Sequence, residues 1–326
     1  MKLSIILPVY GVEKYVRQCV LSIIEQNDNL FGDIELIIIN DGTNDRSVEQ
    51  IEDLICNYSN IILINQKNQG LSITRNNGIE AASGDYVWFV DSDDWIAPNS
   101  LQVLFPYLDG KNDLIVIGAI EKMDNEERLF NIKFNEVKSM DGKSAFRQNC
   151  AQTTTSVLAI PRREFLNQHQ LRFLPGILHE DSEFCPRESY LAQQITFLPE
   201  AIYIIRRATF DGRKSITTTV NPKRAYDSLK VASSLSRFKD GFVVEKDVKY
   251  RFDEYISVVV NGAIGAAVKC GKEEQNLFNR EYYDNFSYLS RNLAGGKLKN
   301  KVESVLFRLF PHHICQIYRL IQKLNR

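Results

Sequence analysis

The first 120 residues alternate short β-branched apolar runs with segments of helical periodicity, and this alternation restricts the fold more than any other feature of the chain. The runs lie at Leu3–Val9, Glu35–Ile39, Ile61–Ile64, Tyr86–Val90 and Leu114–Ile117. They are apolar at successive positions, the pattern of parallel strands covered on both faces. Between the first two, Val12, Val16, Cys19, Val20, Ile23 and Ile24 recur at helical spacing. Further helices are predicted near Ser47–Tyr58, Ser72–Ala82 and Asn99–Leu108. Strand–helix–strand repeats of this kind imply an α/β fold, a doubly wound and mostly parallel sheet with helices on both faces. Ligands of such sheets sit beyond the carboxyl ends of the strands. The unusual polar residues fall there: Asp41 after the second run, Asn68 to Gly70 after the third, Asp91 to Asp94 after the fourth.

Residues 120–220 are mixed, with short strands predicted near Leu129–Phe134, Ile195–Leu198 and Ile202–Arg206. Beyond 220 the pattern is helical, with Val248, Phe252, Tyr255, Ile256, Val259 and Ala263 at helical spacing. The last segment, 297–326, sets seven Lys and Arg residues against one acid, Glu303. The predicted organisation is therefore 1–220 as the α/β domain, 221–296 as a helical region and 297–326 as a basic amphipathic segment. A formal net charge of -1 provides no overall field for nucleic acid. The six scattered cysteines, without a CxxC pair, read as reduced core residues of a cytoplasmic protein. MKLSIILPVYG mimics the start of a signal peptide. Pro8, the helix-like pattern after it and the lack of a small-residue cleavage site favour a first strand instead.

The run YVWFVDSDDW ends a buried segment in Asp91, Asp93 and Asp94. Carboxylates so close raise one another's pKa unless something positive lies among them. Taken alone, DSDD reads as a solvated turn or a helix cap. Placed after a buried strand, it suits a hard cation such as Mg²⁺ or Mn²⁺, which binds one or two carboxylates plus substrate phosphates. No GxxxxGK[ST] loop and no GxGxxG after the first strand are present, and the spacing after Asp91 does not fit an EF-hand.

Five segments in order, PVYGVEKYVRQCVLSI, INDGTND, NQGLSITRNNG, FVDSDDW and HED, resemble the motifs of family 2 glycosyltransferases of the GT-A fold. The resemblance covers about two-thirds of the chain and implies the following roles. Asp41 would hydrogen-bond the nucleotide base, with Pro8, Val9 and Tyr10 as the wall beside it. Arg75 would lie near base and phosphates, Asp91 near the ribose, and Asp93 on a divalent metal, Mn²⁺ or Mg²⁺, bridging the diphosphate. Asp181 would be the catalytic base of an inverting transfer. Arg206, Arg207, Arg213 and Lys214 are candidates for a loop closing on the diphosphate, and His179 and Glu180 for acceptor contacts. Gly11, Asn40 and Thr74 depart from the family's usual residues without removing a proposed catalytic group.

The implied partners are a nucleotide-sugar donor, UDP-linked by resemblance, and a glycan or lipid-linked saccharide acceptor; nucleic acid is not expected. Two other functional readings stand beside this one. A sugar-phosphate nucleotidyltransferase would want a glycine-rich basic loop after the first strand, and PVYGVEKY is not that. A catalytically degenerate nucleotide-sugar-binding or assembly protein would bind donor without turnover. For 297–326, an apolar stripe with cationic flanks suits an anionic membrane surface at the inner face of the cell membrane. Packing on the protein or in a homodimer is the alternative, with Pro311 starting a second helix or kinking a single one.

Overall fold

The computed structural model describes residues 1–326 apart from 27, 124–125, 151–154, 208–220, 294–297 and 325–326. The chain divides into two compact units: Met1–Gly176 with Phe184–Ser215, and Ile177–Glu183 with Ile216–Arg326.

In the first unit, β1 (Leu3–Val9), β2 (Ile34–Asn40), β3 (Ile61–Asn65) and β4 (Tyr86–Phe89) form a wholly parallel sheet in the order β3-β2-β1-β4. β1 is buried along its whole length because helices cover both of its faces. The helix Leu71–Ala81 approaches it so closely that a Cβ on Gly78 would stand 2.4 Å from the Ile6 side chain. Core positions such as Ile5, Leu36, Ile38 and Trp88 are fully buried, and truncating a buried Ile or Leu to Ala costs about 2–5 kcal/mol.

The run beginning at Leu114 was expected to continue this pattern, and it joins a second, mixed sheet instead. There, β5 (Trp95–Ile96), β6 (Leu114–Lys122), β7 (Glu127–Phe130), β8 (Lys138–Met140), β9 (Ala159–Pro161) and β10 (Ile195–Arg206) assemble with β10 and β6 parallel and the remaining pairs antiparallel. Among the described residues, an isolated bridge from Tyr86 to Arg162 and the Trp88 indole N–H donating to Val157 O at 2.9 Å tie β4 to the residues that flank β9. The strand expected at Leu129–Phe134 ends at Phe130, because Asn131 turns the chain at φ 59°. The two strands expected at 195–198 and 202–206 are one, β10, whose register slips between Phe197 and Tyr203. Pro199 lies within that slip and has no N–H to give to the ladder.

The second unit is helical. Pro222–Phe242 starts with Asn221, whose side chain accepts from Lys223 N at 2.9 Å, and with proline at the first helical position, where no N–H is needed. It packs on Lys246–Val268 through residues that include Leu229, Leu235, Phe252 and Ile256. Lys272–Glu281, Ser290–Leu293, Leu298–Leu309 and Ile314–Leu324 follow. Pro311 opens a short turn between the last two helices, so the basic segment is two helices.

Candidate active site

The carboxyl ends of β1 and β2 carry two loops tied together by one carboxylate. Asp45 accepts from Thr43 Oγ1 at 2.7 Å, Ser47 N at 3.0 Å, Glu13 N at 3.1 Å and the Ser47 hydroxyl. Burial pushes its pKa up, but the bonds from Ser47, Thr43 and the Glu13 amide outweigh it and hold the carboxyl below its ordinary value. Thr43 also accepts from Gly11 N, and Ser47 from Val12 N. This lacing fixes the chain after Pro8 and Val9, which are buried, and leaves Tyr10 52% exposed at the mouth of the loops.

Asp41 follows β2 and is buried at 4% exposure. Its Oδ1 accepts from Gln69 N and from Gln66 Nε2, both at 2.8 Å, and its Oδ2 from Gly70 N at 2.9 Å. The carboxylate therefore holds the turn that starts the helix Leu71–Ala81, and Gly70 enters that helix at φ 84°. One turn in, Arg75 is 1% exposed and donates to Asp91 Oδ1 at 2.8 Å. Its guanidinium lies 5.3 Å from the Phe173 ring and 6.0 Å from that of Phe89.

Asp91, Asp93 and Asp94 follow β4, and the structure separates their roles. Asp91 is partly open, its side chain 36% exposed. Asp93 is also partly open, whereas Asp94 is buried. Asp94 accepts from the Tyr203 hydroxyl at 3.0 Å and from Arg206 N at 2.7 Å. The same Tyr203 oxygen accepts from Asp91 N at 3.1 Å, so one phenol joins both carboxylate residues. Burial first, then the charges of Asp93 and Asp91, push the Asp94 carboxyl well above its usual range. Burial, followed by the charges of Asp94, Asp93 and Asp91, also raises the Cys19 thiol, which makes it an unreactive donor to Asp91 O at 3.7 Å.

Arg206 was one of four candidates for a loop closing on the diphosphate. It is sandwiched between Tyr15 and Trp95, with ring centroids 4.9 and 4.6 Å away, and donates through Nε to Asp93 O at 2.9 Å and through Nη2 to Gln18 Oε1 at 2.5 Å. It braces the aspartate loop from behind. Arg207 turns away to the buried Glu121, which Arg128 also contacts. Arg213 and Lys214 lie outside the described residues.

In the second unit, His179 sits at φ 64°, in the left-handed region unusual for a residue with a Cβ. Its Nε2 accepts from Arg224 Nε at 3.2 Å, and burial together with the Arg224 charge lowers its pKa, which favours the neutral ring. Glu180 and Asp181 follow in the first turn of the helix Glu180–Leu191. The segment is pinned from behind at three points. Leu178 N donates to Asp227 Oδ2 at 2.9 Å, Ser234 Oγ to Glu183 Oε1 at 2.6 Å and Tyr255 OH to Ser182 O at 3.2 Å. Beside it opens a pocket of about 170 Å³ lined by His179, Ser182, Arg224, Ser228, Val231, Val259, Gly262 and Ala266.

The first unit thus brings Asp41, Arg75, Asp91 and Asp93 to the carboxyl ends of β2, β3 and β4. Among the described residues no group of three His, Cys, Asp or Glu side chains converges on a metal position. The donor set of Asp91 and Asp93 fits a hard ion that completes its coordination from substrate phosphates. Sequence reading left Asp45, Asp94 and Tyr203 without roles. The first two stood inside the quoted motifs as possible carboxylate acceptors. Nothing local marked Tyr203, which reaches the site through the pairing of β10 with β5.

Residues 4–169 match the family described as glycosyl transferase family 2. Glycosyltransferase GlyA of Streptococcus pneumoniae is 32% identical over 63% of this chain and 30% of its own length. The uncharacterized glycosyltransferase EpsJ of Bacillus subtilis is 33% identical over 62% of this chain and 60% of its own. The chain thus matches less than two-thirds of either relative. S. aureus TarS 1-349, solved in complex with UDP-GlcNAc, shares the fold at a TM-score of 0.72, with 20% identity over 99% of this chain and 91% of that one.

Proposed function

The chain belongs to glycosyl transferase family 2, and from that premise we propose that it moves a sugar from a nucleotide-diphosphate donor to a hydroxyl of a growing cell-surface glycan, with inversion. The observation that carries the reading is the Arg75–Asp91 pair. A cation that is 1% exposed orients one carboxylate at the end of β4, with Asp93 two residues on and Asp41 at the end of β2, on the far side of β1. A UDP-linked donor is favoured by the likeness to TarS, which was solved with UDP-GlcNAc.

In this proposal Pro8, Val9 and Tyr10 flank the base, Asp41 bonds it, and Asp91 meets the ribose. Arg75 sets the direction of the Asp91 carboxylate from below. Asp93, with Asp91 beside it, would hold a divalent Mn²⁺ or Mg²⁺ ion, which supplies Lewis-acid stabilisation of charge on the departing diphosphate. Arg206 keeps Asp93 in place through its backbone carbonyl. Asp181 takes the proton of the acceptor hydroxyl as that oxygen bonds to the anomeric carbon. The bond from this carbon to the donor's phosphate oxygen breaks, its electron pair leaves with the nucleoside diphosphate, and a single displacement inverts the centre. His179 and Glu180 flank the base on the acceptor side, and the helical residues 221–296 shape that side. The pocket lined by His179, Ser182 and Arg224 supports this assignment, since it adjoins Asp181 in the sequence and offers several donors.

The test is donor binding and hydrolysis across UDP-, GDP- and dTDP-sugars with Mn²⁺, for wild type, Asp93→Ala and Asp181→Ala. The expected pattern is one preferred donor, loss of its metal-dependent binding in Asp93→Ala, and retained binding without hydrolysis in Asp181→Ala. Absence of binding to every nucleotide sugar, with or without metal, would sink the reading. Unchanged function in Asp181→Ala would point to a binding or assembly role.

A further inference from the structure

The segment 298–324 folds as the helices Leu298–Leu309 and Ile314–Leu324, joined through Phe310 and the turn Pro311–His313. Phe307, Ile314 and Cys315 face the interior of their unit, none more than 1% exposed. The opposite side is both apolar and cationic. Val302, Val305 and Leu309 follow one another at steps of three and four and so share one flank of the first helix. They are 47%, 55% and 64% exposed, and Phe310 and Leu320 are 51% and 62% exposed. Lys301, Arg308, Arg319 and Lys323 are exposed on the same two helices. Arg308 and Arg319 remain so although one donates to Ser304 Oγ and the other to Val268 O. The single acid of the segment, Glu303, is buried at 0% exposure, so neither helix presents a carboxylate side chain to solvent.

We infer that this face is a docking surface for an anionic lipid bilayer. Aliphatic and aromatic side chains enter the boundary between headgroups and acyl chains, while lysines and arginines meet the lipid phosphates. The contact lies in the interface, since among the described residues no helix is long and apolar enough to cross a membrane. The charge pattern argues against a second copy: a two-fold pairing of this face sets the same cations against each other with no acid to pair them. Nucleic acid would take the cations but leave the apolar row in water. Each lysine or arginine near an anionic surface is worth about a fivefold change in partitioning.

The inference goes beyond the donor reaction and is tested without it. The full chain is sedimented with vesicles of phosphatidylcholine alone and of phosphatidylcholine mixed with phosphatidylglycerol, at low and high salt. Wild type should sediment with the mixed vesicles, fall away as salt rises, and stay in solution with the neutral ones. Lys301→Glu combined with Arg308→Glu should weaken partitioning by at least about twentyfold. Val305→Asp combined with Leu309→Asp should abolish the binding that survives in salt. All four side chains are exposed, so both variants should melt with wild type by circular dichroism. Equal sedimentation with the two vesicle types, or no sedimentation with either, overturns the inference and needs no variant to do so. A wild-type dimer in sedimentation velocity that Leu309→Asp dissociates assigns the face to a second copy. Tighter binding to duplex nucleic acid than to vesicles, lost only in the charge variant, assigns it to a polyanion.

Discussion

Replacing Tyr203 by Phe removes one oxygen from a fully buried side chain and disturbs two aspartates at once. That oxygen stands 3.1 Å from Asp91 N, which donates to it, and 3.0 Å from Asp94 Oδ2, to which it donates. The ring fits as before, so the cost comes from the two groups left without their partner. At about 1–3 kcal/mol for each such group, the variant should lose about 2–6 kcal/mol. The loss should depend on pH. Asp94 is held well above its ordinary pKa, so the stability linked to it is complete below about pH 4 and drains away as the pH rises through its folded-state value. Loss of the phenol removes a bond to the charged carboxylate and raises that value further. The deficit of the variant therefore grows as the pH rises through the wild-type folded-state value. Urea unfolding of both proteins at about pH 4 and about pH 7.5 measures it, given a carboxyl whose unfolded value is near 4. A deficit under about 0.5 kcal/mol at both pH values, or one larger in acid, would refute the assignment of Tyr203 as the joint between the carboxylates.

Arg206→Lys keeps the charge but loses the planar fork between Tyr15 and Trp95 and the Nε bond to Asp93 O. Metal-dependent donor affinity, read by calorimetry, should fall about tenfold, the equivalent of one charge-assisted bond of about 1.5 kcal/mol. Gly42→Ala puts a Cβ at φ 67°, 2.9 Å from Asn68 N and 3.2 Å from Gln66 O. The left-handed backbone alone costs about 1–2 kcal/mol, so thermal unfolding should show at least that loss, and an unchanged melting curve would argue against this loop geometry. Asp227→Ala strips Leu178 N of its acceptor and should lower kcat while leaving the donor Kd unchanged; a matched fall in both would count against a positioning role for that bond. Asp45 lies below its ordinary pKa, so the stability it contributes is present above about pH 4 and lost as the pH falls through its folded value. Asp45→Asn should flatten the acid limb of the stability–pH curve.

Much of the first unit could be read from the chain because its strands are continuous apolar runs. β1 is Leu3–Val9 as expected, β3 and β4 differ from expectation by one residue at one end, and β2 is one residue longer at each end. The polar residues at their carboxyl ends were equally visible, since a parallel sheet concentrates unusual side chains there. What escaped was long-range. A short strand such as Trp95–Ile96 has no periodicity to detect, and its pairing with β10 is what brings Tyr203 and Arg206 behind the aspartates. Arg206 and Arg207 look alike in the sequence. They separate only because one finds two aromatic faces and the other a buried glutamate. The sequence showed two short runs at 195–198 and 202–206, and only the pairing of β6 with residues on both sides of Pro199 makes them the one strand β10.

The three bonds already held by Asp41 have a further consequence. A carboxylate offers about four lone-pair positions, and among the described residues Gln66, Gln69 and Gly70 occupy both of those on Oδ1 and one on Oδ2. One position is left. A pyrimidine ring such as uracil or thymine presents a single N–H between two carbonyls and can use that vacancy as it stands. Guanine presents two adjacent N–H groups and could pair both with the carboxylate only by displacing an amide of the turn that starts the helix Leu71–Ala81. In the base-binding role proposed for Asp41, the turn that buries it would therefore also limit a base to one hydrogen atom offered to it, and discrimination between pyrimidine and guanine donors would come from an acceptor count fixed before any ligand arrives.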